Sequence, residues 1–124
     1  MSAYLCVGLG GALGAMLRYA LSTVTVKSDF PLMTFLTNLI GAVLIGLIVG
    51  LVSGSKLRSD QLILLLKTGF CGGFTTFSTF SLETMTLLER GCYITGGCYA
   101  VCSLVCCIAG VWIGKCLAGL AVGA

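Results

Sequence analysis

The chain contains no histidine, a single proline and only four acidic residues in 124. Without histidine there is no imidazole for haem or quinone ligation, and none for acid–base work near neutral pH. General acid–base catalysis needs a positioned titratable group, and three of the four carboxylates lie in or beside loops, with Glu83 the exception. An enzyme is therefore not expected. Charge is scarce as well: 9% of residues are charged, 58% are hydrophobic, and mean hydropathy is +1.13. Soluble domains are about one quarter charged, so the composition places the chain in a bilayer.

A hydrocarbon core about 30 Å thick takes about 20 apolar residues per helix, which leaves room for four crossings and almost nothing else. The apolar runs predict spans at about 4–21, 32–52, 62–88 and 93–120, all within one transmembrane domain covering 1–124. No basic segment precedes the first run, so it reads as a retained span rather than a secretory signal. Pro31 stands at the entrance to the second span, where a missing N–H costs little. The eight cysteines include no CxxC and lie mostly in apolar runs, which favours small buried thiols over disulfides. Cys98, Cys102 and Cys106 share an i, i+4 face, the spacing of a soft-metal site but equally of ordinary packing.

Glycines recur four apart at Gly10/Gly14, Gly46/Gly50/Gly54 and Gly110/Gly114. This small-xxx-small spacing lets helix backbones touch, and it is expected to serve both packing within a subunit and a dimer face. Lys and Arg give no orientation bias. Lys56, Arg58 and Lys115 fall on one side, against Arg18, Lys27 and Arg90 on the other, with Lys67 inside the third span. A charge tie removes the usual topological signal and predicts insertion both ways, hence an antiparallel homodimer.

The third segment carries GFCGGFTTFSTFS, residues 69–81, in place of a plain apolar helix. Irregular backbone survives at membrane depth only when protein or water surrounds it. Two half-helices with a break at 72–76 are expected, leaving helix ends and carbonyls available to ions. The first, second and fourth spans contain no carboxylate, as a proton-coupled transporter would require, so passive movement of a solute fits better. The polar groups inside the spans are nearly all neutral donors: Thr34, Thr37, Asn38, the cluster Thr75 to Ser81, Tyr99 and Ser103. Phe74, Phe77 and Phe80 stand three apart and would form one ladder on a helix, and ring edges are electropositive. Arg18 and Lys67 are candidates for a wet, anion-attracting vestibule, with snorkelling to the interface as the alternative.

In GGALGAMLRY (10–19), TFLTNLIGAVLIG (34–46) and the 69–81 stretch, the sequence resembles the Fluc (CrcB-type) fluoride channels. The resemblance implies an all-α, antiparallel, dual-topology homodimer in the bacterial cytoplasmic membrane that exports fluoride passively and lowers its toxicity. It implies a fluoride pathway lined by the ring edges of Phe77 and Phe80, by Asn38, by the hydroxyls of Ser78 and Thr79, and by Tyr99 and Ser103. It also implies one structural Na+ at the dimer centre, held by the Gly72 and Thr75 carbonyls of both subunits. Arg18 matches a family arginine at the end of the first helix. A small dual-topology transporter of organic cations, or a non-conducting membrane assembly protein, are the competing readings; the former needs a carboxylate in the first span, which has none.

Overall fold

A computed structural model describes residues 2–54 and 59–123, and every regular element among them is helical. Lys56 and Arg58, two of the six residues in the charge comparison, lie outside the described residues. Helix α1 spans Ala3–Ser22, and the Ser2 hydroxyl at its start accepts from the Leu5 N–H. Helix α2, Leu32–Ser53, follows Pro31 directly. The third segment begins at α3, Asp60–Ile63, where the Ser59 hydroxyl caps the Leu62 N–H and Asp60 lies in the first turn, favourable placements for an acceptor and an acidic side chain.

The backbone then widens into a π-helix over Leu64–Cys71 and returns to α geometry in α4, Gly72–Phe74. Thr75 and Thr76 are extended, and α5 runs from Phe77 to Glu89. Expected irregularity at 72–76 is thus narrower in the structure: Gly72 keeps helical dihedrals, and only the two threonines leave the helix. Threonine suits both positions. Its β-branch favours extended backbone, and the Thr76 hydroxyl caps α5 by accepting from the Thr79 N–H.

The α5–α6 turn depends on Gly91 at φ 77, the left-handed conformation that glycine adopts without strain. Cys92 N–H bonds to the Leu87 carbonyl and Gly91 N–H to that of Leu88, a Schellman closure. Helix α6, Tyr93–Gly123, has 31 residues and is about 46 Å long at 1.5 Å per residue.

Four helices are long and apolar enough to cross a membrane: Ala3–Ser22, Leu32–Ser53, Asp60–Glu89 with its extended pair, and Tyr93–Gly123. They pack as two close pairs, α1 with 64–74 and α2 with α6, and α5 lies across α6. Glycine makes both pairs close. A side chain at Gly10 would meet the Leu65 carbonyl, one at Gly14 the Phe70 carbonyl, one at Gly46 the Val111 carbonyl and one at Gly114 the Val43 carbonyl. Gly50, Gly54 and Gly110 likewise face Ala118, Val122 and Leu39 of the same chain. The four-apart glycines therefore make close contacts inside one subunit. Gly114→Leu is expected to destabilise the protein by about 3 kcal/mol or more through overpacking. Gly97→Leu, with nothing within 4 Å, is expected to leave the thermal unfolding midpoint in detergent unchanged.

Outside these contacts the surface is apolar. Tyr4, Tyr19, Ile94, Trp112 and Leu120 are all well over half exposed, the surface a chain presents to hydrocarbon. A buried cluster, Phe80, Leu87 and Tyr99 with Phe30 and Phe35 against it, lies between α5, α6 and the start of α2.

Candidate functional site

The Thr75–Thr76 interruption is held by side chains from two other helices. Asn38, on α2, grips Thr76 with both ends of its amide: Oδ1 accepts from the Thr76 N–H at 2.7 Å, and Nδ2 donates to the Thr76 carbonyl at 3.0 Å. A helix continuing through this point would have sent that N–H to the Gly72 carbonyl. Arg18, on α1, donates from Nε to the Gly73 carbonyl at 3.2 Å. Thr75 turns its own hydroxyl back to the Cys71 carbonyl at 2.8 Å.

Beside the interruption lies an open cavity of about 600 Å³ between α2, the third segment and α6. Asn38, Lys67, Gly72, Thr75, Phe77, Phe80 and Ser103 all line it, among apolar walls such as Ile45, Leu104 and Ile108, and no carboxylate is among its lining residues. Seven candidates separated by up to 65 positions thus converge. Arg18, Ser78, Thr79 and Tyr99 are not among the residues that line this cavity.

Counting hydrogens identifies the free donors. Thr75 has given its proton to Cys71, and Thr76 bonds to Thr79 Oγ1 at 3.0 Å. Asn38 has spent one amide N–H on Thr76 and retains the other. Ser103 is 6% exposed, and its Oγ is buried without a partner among the described residues. Buried polar atoms are overwhelmingly paired, so a lone hydroxyl beside a cavity marks a place for an acceptor. Lys67, exposed at the cavity wall, adds three more donors and a positive charge. A ligand entering here meets N–H and O–H groups and two phenylalanine rings, an arrangement suited to an anion.

The rings differ from the expected ladder. Phe77 and Phe80 lie 5.4 Å apart at 45°, but Phe74 is 2% exposed and stacks on Phe70 at 5.7 Å. The extended threonines end the helical register between Phe74 and Phe77, so a spacing of three no longer places them on one face. Phe77 is 73% exposed and Phe80 only 8%.

Tyr99 is fully buried, and its hydroxyl donates to Glu83 Oε2 at 2.7 Å, while Thr34 donates to Oε1 at 2.8 Å. The Tyr99 ring packs against Phe80 at 5.2 Å and edge-on to Phe30 at 5.2 Å. Glu83 was not a sequence candidate, yet it anchors the residue that backs Phe80. Its position seven residues after Thr76, on a helix rich in hydroxyls, was the available signal. A second pocket of about 180 Å³ reaches Glu83 and Thr34 from Ser22 and Ser28.

Two arrangements bear on metal. Among the described residues no three of His, Cys, Asp and Glu converge on one point; Cys98 and Cys102 are exposed on α6 and Cys106 is half-buried. Backbone oxygen offers the other option. The Gly72 carbonyl has lost its helical partner to Asn38, and Gly72 and Thr75 both line the cavity. Carbonyl oxygens are ligands for hard cations, so this donor set fits Na+.

A family profile described as CrcB-like protein, Camphor Resistance (CrcB), matches residues 5–115. The chain is 45% identical over 115 residues to the fluoride-specific ion channel FluC of Ruminiclostridium cellulolyticum, covering 90% of this chain and 88% of that protein. It is 42% identical over 125 residues to the fluoride-specific ion channel FluC 2 of Bacillus licheniformis, covering 98% and 93%. With FluC of Rhizobium leguminosarum bv. trifolii it shares 43% identity over 121 residues, covering 95% and 93%.

Proposed function

The chain belongs to the CrcB family, and from that premise we propose that it is a fluoride-specific channel of the cell membrane and not an enzyme. It is a multi-pass membrane protein with four spanning helices. The observation that carries the reading to this chain's own residues is the convergence of Asn38, Ser103, Lys67, Phe77 and Phe80 on one cavity whose lining has no carboxylate.

Fluoride is small and strongly hydrated, so a pathway must offer several close donors in place of water while no single site binds too tightly. The second Asn38 N–H, the unpaired Ser103 hydroxyl and the ring edges are weak donors in series. Lys67 at the cavity wall raises the local anion concentration. Ser78, Thr79 and Tyr99 act at one remove: Thr79 bonds to the Thr76 cap, Ser78 lies beside it, and Tyr99 holds the Phe80 ring from behind. Flux is passive and runs outward down the fluoride gradient, which lowers fluoride toxicity in a bacterial cytoplasm.

The working unit is an antiparallel homodimer with a third helix broken near mid-membrane. The balanced Lys/Arg count supports insertion in both orientations. An open cavity and a 73% exposed Phe77 support a second copy closing over this face. One Na+ at the centre would take the Gly72 and Thr75 carbonyls from each subunit and neutralise four converging carbonyl dipoles.

Reconstituted liposomes test the function. Fluoride efflux without chloride efflux is the expected result, and C-terminal reporters should be active on both sides of the membrane. Absence of any flux would favour a membrane assembly protein, and reporter signal from one side only would remove dual topology.

A further inference from the structure

We propose that Arg18 is a positioning residue for the 72–76 stretch: by holding the Gly73 carbonyl on the α1 side, it fixes which carbonyls remain for a hard cation. The inference rests on the cation reading given under Proposed function.

Helix α1 meets 64–74 backbone to backbone. Gly14 abuts the Phe70 carbonyl and the Phe74 N–H, and Gly73 abuts the Gly11 carbonyl. One turn beyond Gly14, Arg18 therefore arrives beside the end of the helical segment, where its Nε donates to the Gly73 carbonyl at 3.2 Å. The last carbonyls of that segment have different fates. Cys71 O accepts from both the N–H and the hydroxyl of Thr75. Gly73 O is held by Arg18. Gly72 O has lost its ladder partner, because the Thr76 N–H goes to Asn38.

The two glycines also face different surroundings. Gly73 is pressed against α1, whereas Gly72 lines the cavity with nothing within 4 Å of where a side chain would be. A guanidinium is always charged and forms directed hydrogen bonds, and cations are favoured at helix C-termini. Arg18 satisfies that end from behind, and the segment itself separates its charge from the cavity. Without it the Gly73 carbonyl needs another partner, and the presentation of Gly72 and Thr75 to a cation is no longer fixed.

Thermal unfolding of the purified protein in detergent, with Na+ exchanged for N-methylglucamine at constant ionic strength, reads this directly. A ligand that binds only the folded state raises the unfolding midpoint with its concentration. The parent midpoint is expected to rise with Na+. Arg18→Met, which keeps the length but offers no donor, is expected to elute as the parent does but to need at least ten-fold more Na+ for half of that rise. Arg18→Lys, which keeps the charge and lacks the Nε donor, is expected to show a smaller shift in the same direction. An unchanged Na+ requirement in Arg18→Met, even with a lower midpoint and weaker fluoride flux, would make Arg18 a packing residue and overturn the proposal. Should Arg18→Met fail to fold, the presence or absence of the shift in Arg18→Lys decides. A parent with no response to Na+ would remove the cation reading and this inference together, while leaving fluoride conduction to stand on the liposome assay.

Discussion

Phe77→Ile is expected to reduce fluoride efflux from reconstituted liposomes about 100-fold, equivalent to about 2.7 kcal/mol on the barrier, while the protein remains folded. Isoleucine retains apolar bulk but replaces an electropositive ring edge with methyl groups that offer an anion nothing. Phe77 is the better of the two rings to test. It is 73% exposed in the subunit, whereas Phe80 is 8% exposed and packs on Tyr99, so Phe80→Ile would mix loss of a ring edge with loss of core packing. Because Phe77 is largely exposed within the subunit, its replacement should disturb the subunit's own core less than Phe80→Ile would. Parent-like efflux from Phe77→Ile would eliminate the ring-edge role.

Asn38→Ala is expected both to stop conduction and to lower stability by about 2–6 kcal/mol, since two backbone groups of Thr76 lose their partners and each costs about 1–3 kcal/mol when left unmet. The structure gives Asn38 two roles that one substitution cannot separate: it holds Thr76 and it carries a spare N–H at the cavity. Asn38→Asp separates them. A carboxylate still accepts from the Thr76 N–H, so part of the stability should return, but it places negative charge at the cavity and donates nothing, so efflux should stay low. Efflux and thermal midpoint, measured on both variants, check the two roles independently. In a non-conducting assembly protein Asn38→Ala would show the stability loss alone.

The four spans were legible because hydropathy over 20 residues is a sum, robust to any one side chain. The polar and aromatic mixture at 69–81 was legible for the opposite reason: each residue there is out of place in hydrocarbon. Partner choice was not legible. Asn38 reads as a donor from its type, yet only the fold reveals that most of its amide is spent on Thr76. Tyr99 reads as a pathway residue, but its hydroxyl is turned to Glu83, a carboxylate that loop-bound neighbours in sequence made easy to pass over. Phe74 fits a spacing of three with Phe77 and Phe80, and two extended threonines take it out of their register. Spacing identifies a shared face only while the helix continues. The π-helix over Leu64–Cys71 has no residue signature in this chain, although two of its residues, Lys67 and Cys71, line the cavity.

The glycine contacts divide the molecule by what evolution is free to change. Where Gly14 abuts Phe70 or Gly114 abuts Val43, backbone touches backbone, and no substitution can be compensated by another side chain opposite, because there is none. The outward faces of α1 and α6, with Leu13, Tyr19, Trp112 and Leu120, meet their surroundings through side chains alone. Such a surface can be rewritten one residue at a time. Lineages should accordingly keep the interior of the subunit nearly frozen while the exterior drifts, so that two descendants of one gene diverge first in what they adhere to and last in how they are built.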